Sequence, residues 1–173
     1  MSLHPEMPNV FIASDHAGFS LKAFLVERLR ESGYGVTDMG AESFSPEDDY
    51  PDFITPCATR VAQENPRGEA ARVFGVVIGG SGEGEAMAAN RVPGIRAAVF
   101  YGGAEAQGTL DAAGSAPQDR LDIIRLTRAH NDANILSLGA RFLSEEDAWQ
   151  ATRLFLETPF SGEPRHIRRL AKY

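Results

Sequence analysis

The stretch that decides the fold is Val73-Phe74-Gly75-Val76-Val77-Ile78-Gly79-Gly80-Ser81-Gly82-Glu83-Gly84-Glu85. Its first six residues are almost all apolar, which is typical of a strand buried on both faces of a parallel sheet. A glycine-rich turn follows, and we predict a short helix at about residues 84–91. Because parallel sheets bind ligands beyond the carboxyl ends of their strands, this turn stands where a binding site is expected.

Similar strand–helix units lie on both sides of this stretch. Apolar runs predict further strands at 10–14, 34–39, 95–100 and 134–138. Helical periodicity predicts a helix that ends near Gly33, a second at residues 53–63, and a last one that opens at the N-cap Ser144 and stops before Pro159. Repeated strand–helix units predict an α/β fold with a parallel, doubly wound sheet.

Two segments interrupt this alternation. Residues 42–52 hold five acids and no base, which is typical of a solvated loop, although Asp49-Tyr50-Pro51 at its end is placed to border a site. Residues 101–118 are rich in glycine and alanine and follow neither a helical nor a strand period. Loops of this length are usually lids, binding loops or disordered segments.

The composition restricts the class of protein. The chain has 173 residues, with 17 Lys and Arg against 24 Asp and Glu, and the formal net charge is −7. The length predicts one domain over residues 1–173, and the acidic balance disfavours nucleic-acid binding. The single cysteine, Cys57, allows neither an intrachain disulfide nor a cysteine zinc site. Without a long apolar stretch, we expect a cytoplasmic protein with no membrane partner.

The glycine-rich turn carries the strongest chemical signal. It has four glycines in the six residues Gly79–Gly84, more than a tight turn needs, although a turn is the plainer interpretation. A P-loop would need a lysine, and a Rossmann fingerprint would need other glycine spacing. Backbone amides beside a carboxylate, here Glu85, suit an enediolate, because base and oxyanion donors must lie close together.

Two histidines stand beside predicted strand ends. Asp15-His16 follows the first strand, where Asp15 has the plainer role of helix cap. His130 precedes the fifth strand, where a histidine is often a partner of the helix dipole. Histidine spacing in this chain matches no metal signature, so we predict no metal site and expect roles in acid–base chemistry or phosphate binding.

The tail at about residues 164–173 is basic, in contrast to the rest of the chain. Four of the 17 Lys and Arg lie in residues 165–172. Arg165 and Arg169 are four residues apart and would share one helical face, able to grip a phosphate, although a solvated basic tail is the plainer interpretation. Together with the glycine turn, a carboxylate and two histidines, this set suits proton transfer on a phosphorylated sugar without a cofactor.

These residues resemble the type B ribose-5-phosphate isomerases, whose relatives include the galactose-6-phosphate isomerase subunits. The resemblance runs from about Val10 to Lys172, and its motifs are Ser14-Asp15-His16-Ala17-Gly18, Asp49-Tyr50-Pro51, Gly80–Glu85, Ala88–Arg96, His130–Asn134 and Arg165-His166. It implies a Rossmann-like three-layer α/β/α fold with a five-stranded parallel sheet. It also implies a homodimer or a dimer of dimers in which two subunits build each active site.

The resemblance also implies a role for each matching residue. His130 matches the acid that helps to open the sugar ring, the Gly80–Gly84 amides match those that hold the enediolate, and the matching arginines bind phosphate. Many relatives carry a cysteine base at the position of Ser81, whereas one branch has serine there and glutamate four residues later. Because a serine hydroxyl is a weak acid, we predict that Glu85 is the base. The substrate-binding positions implied are Asp15, His16, Gly80, Ser81, Gly82, Glu83, Gly84, Asn131, Arg141, Arg165, His166 and Arg169.

The implied activity is interconversion of D-ribose 5-phosphate and D-ribulose 5-phosphate through a cis-enediolate. This chain is longer than usual members of that family around residues 101–118, so an isomerase of a hexose 6-phosphate or a tetrose 4-phosphate is the alternative. A third hypothesis is a phosphosugar-binding module without catalysis. The presence of both Glu85 and His130 speaks against it, because binding alone requires neither.

Overall fold

A computed structural model describes residues 7–65 and 72–172 of the chain. In this part, five strands form one parallel sheet in the order β2-β1-β3-β5-β4. The α/β fold and the five-stranded parallel sheet predicted from the sequence are confirmed. The strands are β1 (Asn9–Ser14), β2 (Gly35–Asp38), β3 (Phe74–Gly79), β4 (Ala97–Phe100) and β5 (Ile135–Gly139).

Six helices accompany the sheet within the described residues. The helix bounds predicted from the sequence mostly agree with the structure to within a few residues. The exception is α4, for which the sequence predicted no start, because the glycine- and alanine-rich stretch before it has no helical periodicity. Ser144 caps α5 as expected, accepting the amide of Asp147. The helices are α1 (Phe19–Glu31), α2 (Pro51–Glu64), α3 (Glu83–Ala89), α4 (Asp122–Asn131), α5 (Glu145–Glu157) and α6 (Pro164–Leu170).

Strand β4 begins two residues later than the sequence predicted, and the cause is a side chain. Asn134 accepts the amide of Arg96 at 2.8 Å and donates to the carbonyl of Gly94 at 2.9 Å. At the amide of Arg96 and the carbonyl of Gly94, these hydrogen bonds from the Asn134 side chain take the place of backbone pairing between β4 and β5. The ladder to β5 therefore starts at Ala97.

The core lies on both faces of the sheet, as three layers require. Val10 and Ile12 point to the face covered by α1, α4 and α5. Phe11 and Ala13 point to the opposite face, where α2 and α3 pack. This alternation is the period of two that sends successive strand side chains to opposite faces.

The strand order places two loops beside one crevice. The strand order reverses between the neighbours β1 and β3, because β2 lies on one side of β1 and the later strands lie on the other. Doubly wound sheets bind ligands at such a position. Asp15 and His16 follow the end of β1, and the glycine turn follows the end of β3. We call this end of the sheet the carboxyl edge, and the opposite end, where β5 begins at Ile135, the amino edge.

Residues 101–118 contain turns and bends but no helix or strand, as predicted. Asp111 holds one turn together by accepting the amides of Ala113 at 2.9 Å and Ser115 at 3.1 Å. The two ends of the segment meet, because a Cβ on Gly103 would lie 2.3 Å from the carbonyl oxygen of Arg120. Among the residues described, we find no helix with the length and apolar character of a membrane span.

Candidate active site

Asp15 does two things at the end of β1. Its Oδ1 accepts the amides of Ala17 at 2.9 Å and Gly18 at 3.2 Å, and so caps the short 3₁₀ turn that leads into α1. Its Oδ2 lies 3.9 Å from Nδ1 of His16. The cap predicted as the plainer role is therefore present, and it leaves one oxygen toward the crevice.

The glycine turn is held by the end of β5. The Ser137 hydroxyl donates to the carbonyl of Gly82 at 2.6 Å, and Gly82 has a φ of +80°, a conformation that favours glycine. The amide of Arg141 donates to the carbonyl of Gly80 at 3.1 Å. A Cβ on Gly80 would stand 3.1 Å from the guanidinium carbon of Arg141, so that side chain lies directly over the turn.

Glu85 is buried at the base of this turn, with 4% of the residue exposed. Its carboxylate lies on the backbone of Gly79, where a Cβ would be 1.8 Å from Oε1. Burial raises the pKa of Glu85, its backbone hydrogen bond opposes the rise, and the negative charge of Asp15 adds to it. The structure therefore holds a carboxyl group of increased basicity beside the glycine turn.

His16 is bound by a residue that the sequence did not single out. Nδ1 of His16 lies 2.6 Å from Oδ1 of Asp48, and the same oxygen accepts the backbone amide of His16 at 3.1 Å. This hydrogen bond raises the pKa of His16 against the effect of burial, and the charge of Asp15 adds to the rise. The acidic loop was predicted to be solvated, and that is wrong for Asp48, whose side chain is only 9% exposed.

Asp15, His16 and Asp48 form a group whose ligand atoms lie within 4.8 Å of one another, which is compatible with a metal ion. The 2.6 Å separation of Nδ1 and Oδ1 is that of a short hydrogen bond, just below the range of about 2.7–2.9 Å for charge-assisted N–H···O bonds. Two ligands of a tetrahedral zinc ion would stand about 3.3 Å apart. The separation of Nδ1 and Oδ1 therefore fits a hydrogen bond between the two side chains rather than two ligands of one zinc ion.

Tyr50 also borders the site. A Cβ on Gly84 would be 2.9 Å from the Tyr50 hydroxyl oxygen, so the phenol covers the first turn of α3. Tyr50 immediately precedes α2, with Pro51 at its first position, an arrangement that fixes where the helix begins. The Asp49-Tyr50-Pro51 motif, noted in the sequence as a possible border, provides this contact.

A second group gathers around the last turn of α4. The ring of His130 lies 4.2 Å, centroid to centroid, from the ring of His166, which is 2% exposed and lies 2.9 Å from the Ser161 hydroxyl. Burial lowers the pKa of His130, and the charges of His166 and Arg165 lower it further. Arg169 is exposed on the same helix as His166. We call this group the cationic corner.

Asn131 is the last residue of α4 and lies beside the cationic corner. Its side-chain amide donates to the carbonyl of Leu126 at 3.4 Å. Its backbone carbonyl accepts from Arg96 at 3.1 Å. Its side chain is exposed, so it stands at the surface of the amino edge.

The two groups lie at opposite ends of the sheet. Asn131 is followed closely by the start of β5 at Ile135, whereas Glu85 follows the carboxyl end of β3. Five residues of β5 separate these edges, a span of about 17 Å. One chain thus brings together Asp15, His16, Gly80–Gly84, Glu85 and Arg141, and it keeps His130, Asn131, Arg165, His166 and Arg169 apart from them.

Comparison with known proteins gives concordant matches. A family model described as Ribose/Galactose Isomerase matches residues 10–112 and 118–173. The chain is 37% identical over 161 residues to ribose-5-phosphate isomerase B of Mycolicibacterium paratuberculosis, covering 93% of this chain and 86% of that protein. It is 34% identical to the probable ribose-5-phosphate isomerase B of Mycoplasma genitalium, covering 95% and 92%.

Solved structures agree with these matches. The Mycoplasma genitalium ribose-5-phosphate isomerase B with bound ribulose-5-phosphate superposes with a TM-score of 0.78 at 34% identity, covering 95% of this chain and 92% of that one. Ribose-5-phosphate isomerase B of Clostridium thermocellum gives 0.76 at 35% identity, covering 95% and 93%. At this identity and coverage, the likeness extends over nearly the whole chain.

Proposed function

The chain belongs to the Ribose/Galactose Isomerase family, and from that premise we propose that it interconverts D-ribose 5-phosphate and D-ribulose 5-phosphate. The observation that carries the proposal is the buried Glu85 carboxylate against the backbone of Gly79, the residue that precedes the Gly80–Gly84 amides. Relatives named ribose-5-phosphate isomerase B, one of them with ribulose-5-phosphate bound, support the choice of sugar.

Glu85 supplies the base in this proposal. It takes the proton from C2 of the open-chain aldose, and the resulting cis-enediolate carries its negative charge against the Gly80–Gly84 amides. The proton then returns to C1 while the O2 proton passes to O1, so the ketose forms with no gain or loss of electrons or atoms. Neither a metal nor an organic cofactor is needed for these transfers.

The raised pKa of Glu85 suits this task, because a general base works best when its pKa lies near the working pH. Only the carboxylate accepts a proton, so activity is lost as the pH falls through the pKa of Glu85. Ser81 is exposed beside it and accepts the amide of Glu83 at 3.3 Å. That contact supports a role for Ser81 in shaping the turn, with Glu85 as the proton carrier.

We propose further that a second copy of the chain completes each site. A sugar phosphate at the carboxyl edge of one subunit meets Arg141 there, and the cationic corner of the other subunit supplies Arg165, Arg169 and the ring-opening acid His130. The separation of the two groups within one chain supports this arrangement, in a homodimer or a dimer of dimers. The cytoplasmic location expected from the sequence stays a prediction.

A different sugar phosphate is the second candidate substrate. Tyr101 opens the long segment 101–118, and its ring lies 6.0 Å from that of Phe142, the residue after Arg141. The segment therefore starts beside the site, where it can restrict the length of the sugar. An isomerase for a hexose 6-phosphate or a tetrose 4-phosphate would use the same base and the same amides.

A coupled isomerisation assay tests the proposal. We expect ribose 5-phosphate to give the highest kcat/KM in a panel of tetrose, pentose and hexose aldose phosphates. A hexose or tetrose phosphate in first place would favour the second candidate. Tight binding of phosphosugars with no turnover of any of them would overturn both and leave a binding module.

A further inference from the structure

Asp48 is half-buried, whereas the other four acids of the loop at residues 42–52 are exposed. Its neighbours Glu47 and Asp49 face solvent, whereas the Asp48 side chain is 9% exposed and turned toward the end of β1. One of its oxygens, Oδ2, is buried without a hydrogen-bond partner in the described structure. Burying a carboxylate is costly unless it is paired, and the pair here is His16.

The contact fixes both the position and the orientation of the imidazole. Oδ1 of Asp48 accepts the backbone amide of His16 at 3.1 Å and lies 2.6 Å from the ring Nδ1 of the same residue. Because one oxygen holds both atoms, rotation of the ring would break the shorter bond. Nδ1 is thereby occupied, and Nε2 is the ring nitrogen left for a ligand.

Charged groups from three segments face this ring. Asp48 comes from the acidic loop, Asp15 places Oδ2 at 3.9 Å from Nδ1, and Arg141 acts from the turn after β5. The ring of Phe44 lies edge-on at 6.4 Å, with an interplanar angle of 85°. Two carboxylates outweigh one guanidinium, so the surroundings favour the imidazolium ion.

From this geometry we propose that Asp48 is a positioning residue, which holds His16 as a cationic donor with Nε2 directed at the sugar phosphate. The proposal rests on the proposed function and adds a residue to it. A protonated imidazole donates from both nitrogens, so Asp48 takes one donor and leaves the other for an oxygen of the anionic substrate. A charged donor binds such an oxygen more strongly than a neutral one does.

Asp48→Asn tests the proposal, because asparagine keeps the size and the acceptor oxygen but removes the charge. The matched control is Glu47→Gln, which makes the same charge change one residue away on the exposed part of the loop. The first readout is the NMR titration of His16, assigned by the loss of its signal in His16→Gln. The second is KM for ribose 5-phosphate as a function of pH, with the melting temperature of each variant as a check on folding.

We expect the midpoint of the His16 titration to move to lower pH in Asp48→Asn and to stay at the wild-type pH in Glu47→Gln. KM should rise several-fold in Asp48→Asn at pH values where the wild-type His16 is still charged, with a smaller change in kcat. An unmoved His16 midpoint in Asp48→Asn would overturn the proposal, and so would a moved midpoint with an unchanged KM. The titration needs no turnover, so an inactive wild-type protein would count against the proposed function while the Asp48–His16 pair is still tested.

Discussion

The carboxyl edge and the cationic corner each present a histidine, and the two histidines have opposite surroundings. His16 lies between the carboxylates of Asp15 and Asp48, which raise its pKa. His130 lies against His166 near Arg165, and its pKa is lowered by burial and by these cationic neighbours. The same side chain therefore has its pKa raised in one region and lowered in the other. Burial, hydrogen bonding and neighbouring charges, rather than residue type, set the direction of each pKa shift.

The two regions suit different parts of the proposed reaction. The carboxyl edge has the buried carboxyl group of Glu85 and backbone amides, which suit the movement of a proton and the charge that develops with it. The cationic corner has exposed Arg169 and half-buried Arg165, which suit a phosphate whose charge does not change during the reaction. Substitution of Glu85 in the first region should act on kcat, and substitution of Arg169 in the second should act on KM.

Glu85→Gln is expected to have the largest effect. The amide keeps the size of the side chain but cannot accept the proton, so kcat should fall by about 10⁴-fold or more while KM changes little. Exchange of the C2 hydrogen of ribose 5-phosphate with deuterated solvent should stop as well. Since a buried carboxyl group with a raised pKa destabilises the fold once it ionises, the melting temperature at neutral pH should be equal or higher. Exchange near the wild-type rate would assign the proton to another residue.

Arg169→Ala is expected to weaken substrate binding rather than to slow catalysis. Losing one charged hydrogen bond to the phosphate should cost about 1.5–3 kcal/mol, which corresponds to roughly 10–150-fold in KM. The change in kcat should be small, because the phosphate is bound equally in the ground and transition states. Arg168→Ala, one residue away and also exposed, is the matched control and should leave KM near the wild-type value. Equal effects of the two variants would refute a specific clamp.

Excision of residues 104–117, joined by two glycines, should have a moderate effect on selectivity. The contact between Gly103 and Arg120 keeps the two ends together, so we expect the melting temperature to stay within a few degrees of the wild type. If the segment restricts the length of the sugar, the ratio of kcat/KM for hexose and pentose phosphates should change severalfold. An unchanged ratio with an intact fold would make the segment a passive insertion.

The smallest expected effect is on the melting temperature as a function of pH, to which the histidines of the two regions should contribute with opposite sign. Because the pKa of His130 is lowered in the folded state, its contribution to stability is lost as the pH falls below 6.5, the ordinary value. His130→Gln should therefore lose less melting temperature than the wild type between pH 7.5 and 5. His16 has the opposite sign, since its raised pKa stabilises the fold at low pH and that contribution fades as the pH rises through the raised value. Identical acid-side curves for His130→Gln and the wild type would contradict the assigned direction.

The sheet was predictable because its signal is local. The apolar run from Val73 to Ile78 and the glycines after it specify a buried strand, a turn and a helix within one short stretch. The carboxylate at the turn, Glu85, was predictable for the same reason. These features need no knowledge of what lies on the other side of the crevice.

The partner of His16 was not predictable, because its signal is not local. Asp48 is one of five acids in its loop, and nothing in the order of residues separates it from Glu47 or Asp49. It differs from them only because the fold brings it, 32 positions along the chain, to His16. Likewise, the residues alone do not show which of the predicted site positions lie at the same end of the sheet. Only the direction of α4 shows that His130 lies at the amino edge, away from Glu85.

The placement of the two groups at opposite ends of the sheet has a consequence for genetic complementation between variants. In the proposed shared dimer, a Glu85→Gln chain paired with an Arg169→Ala chain has one site that carries both defects and another that carries neither. Random mixing makes about half of the dimers mixed, so roughly a quarter of all sites are intact. Two alleles that each fail alone would thus complement one another when expressed in the same cell.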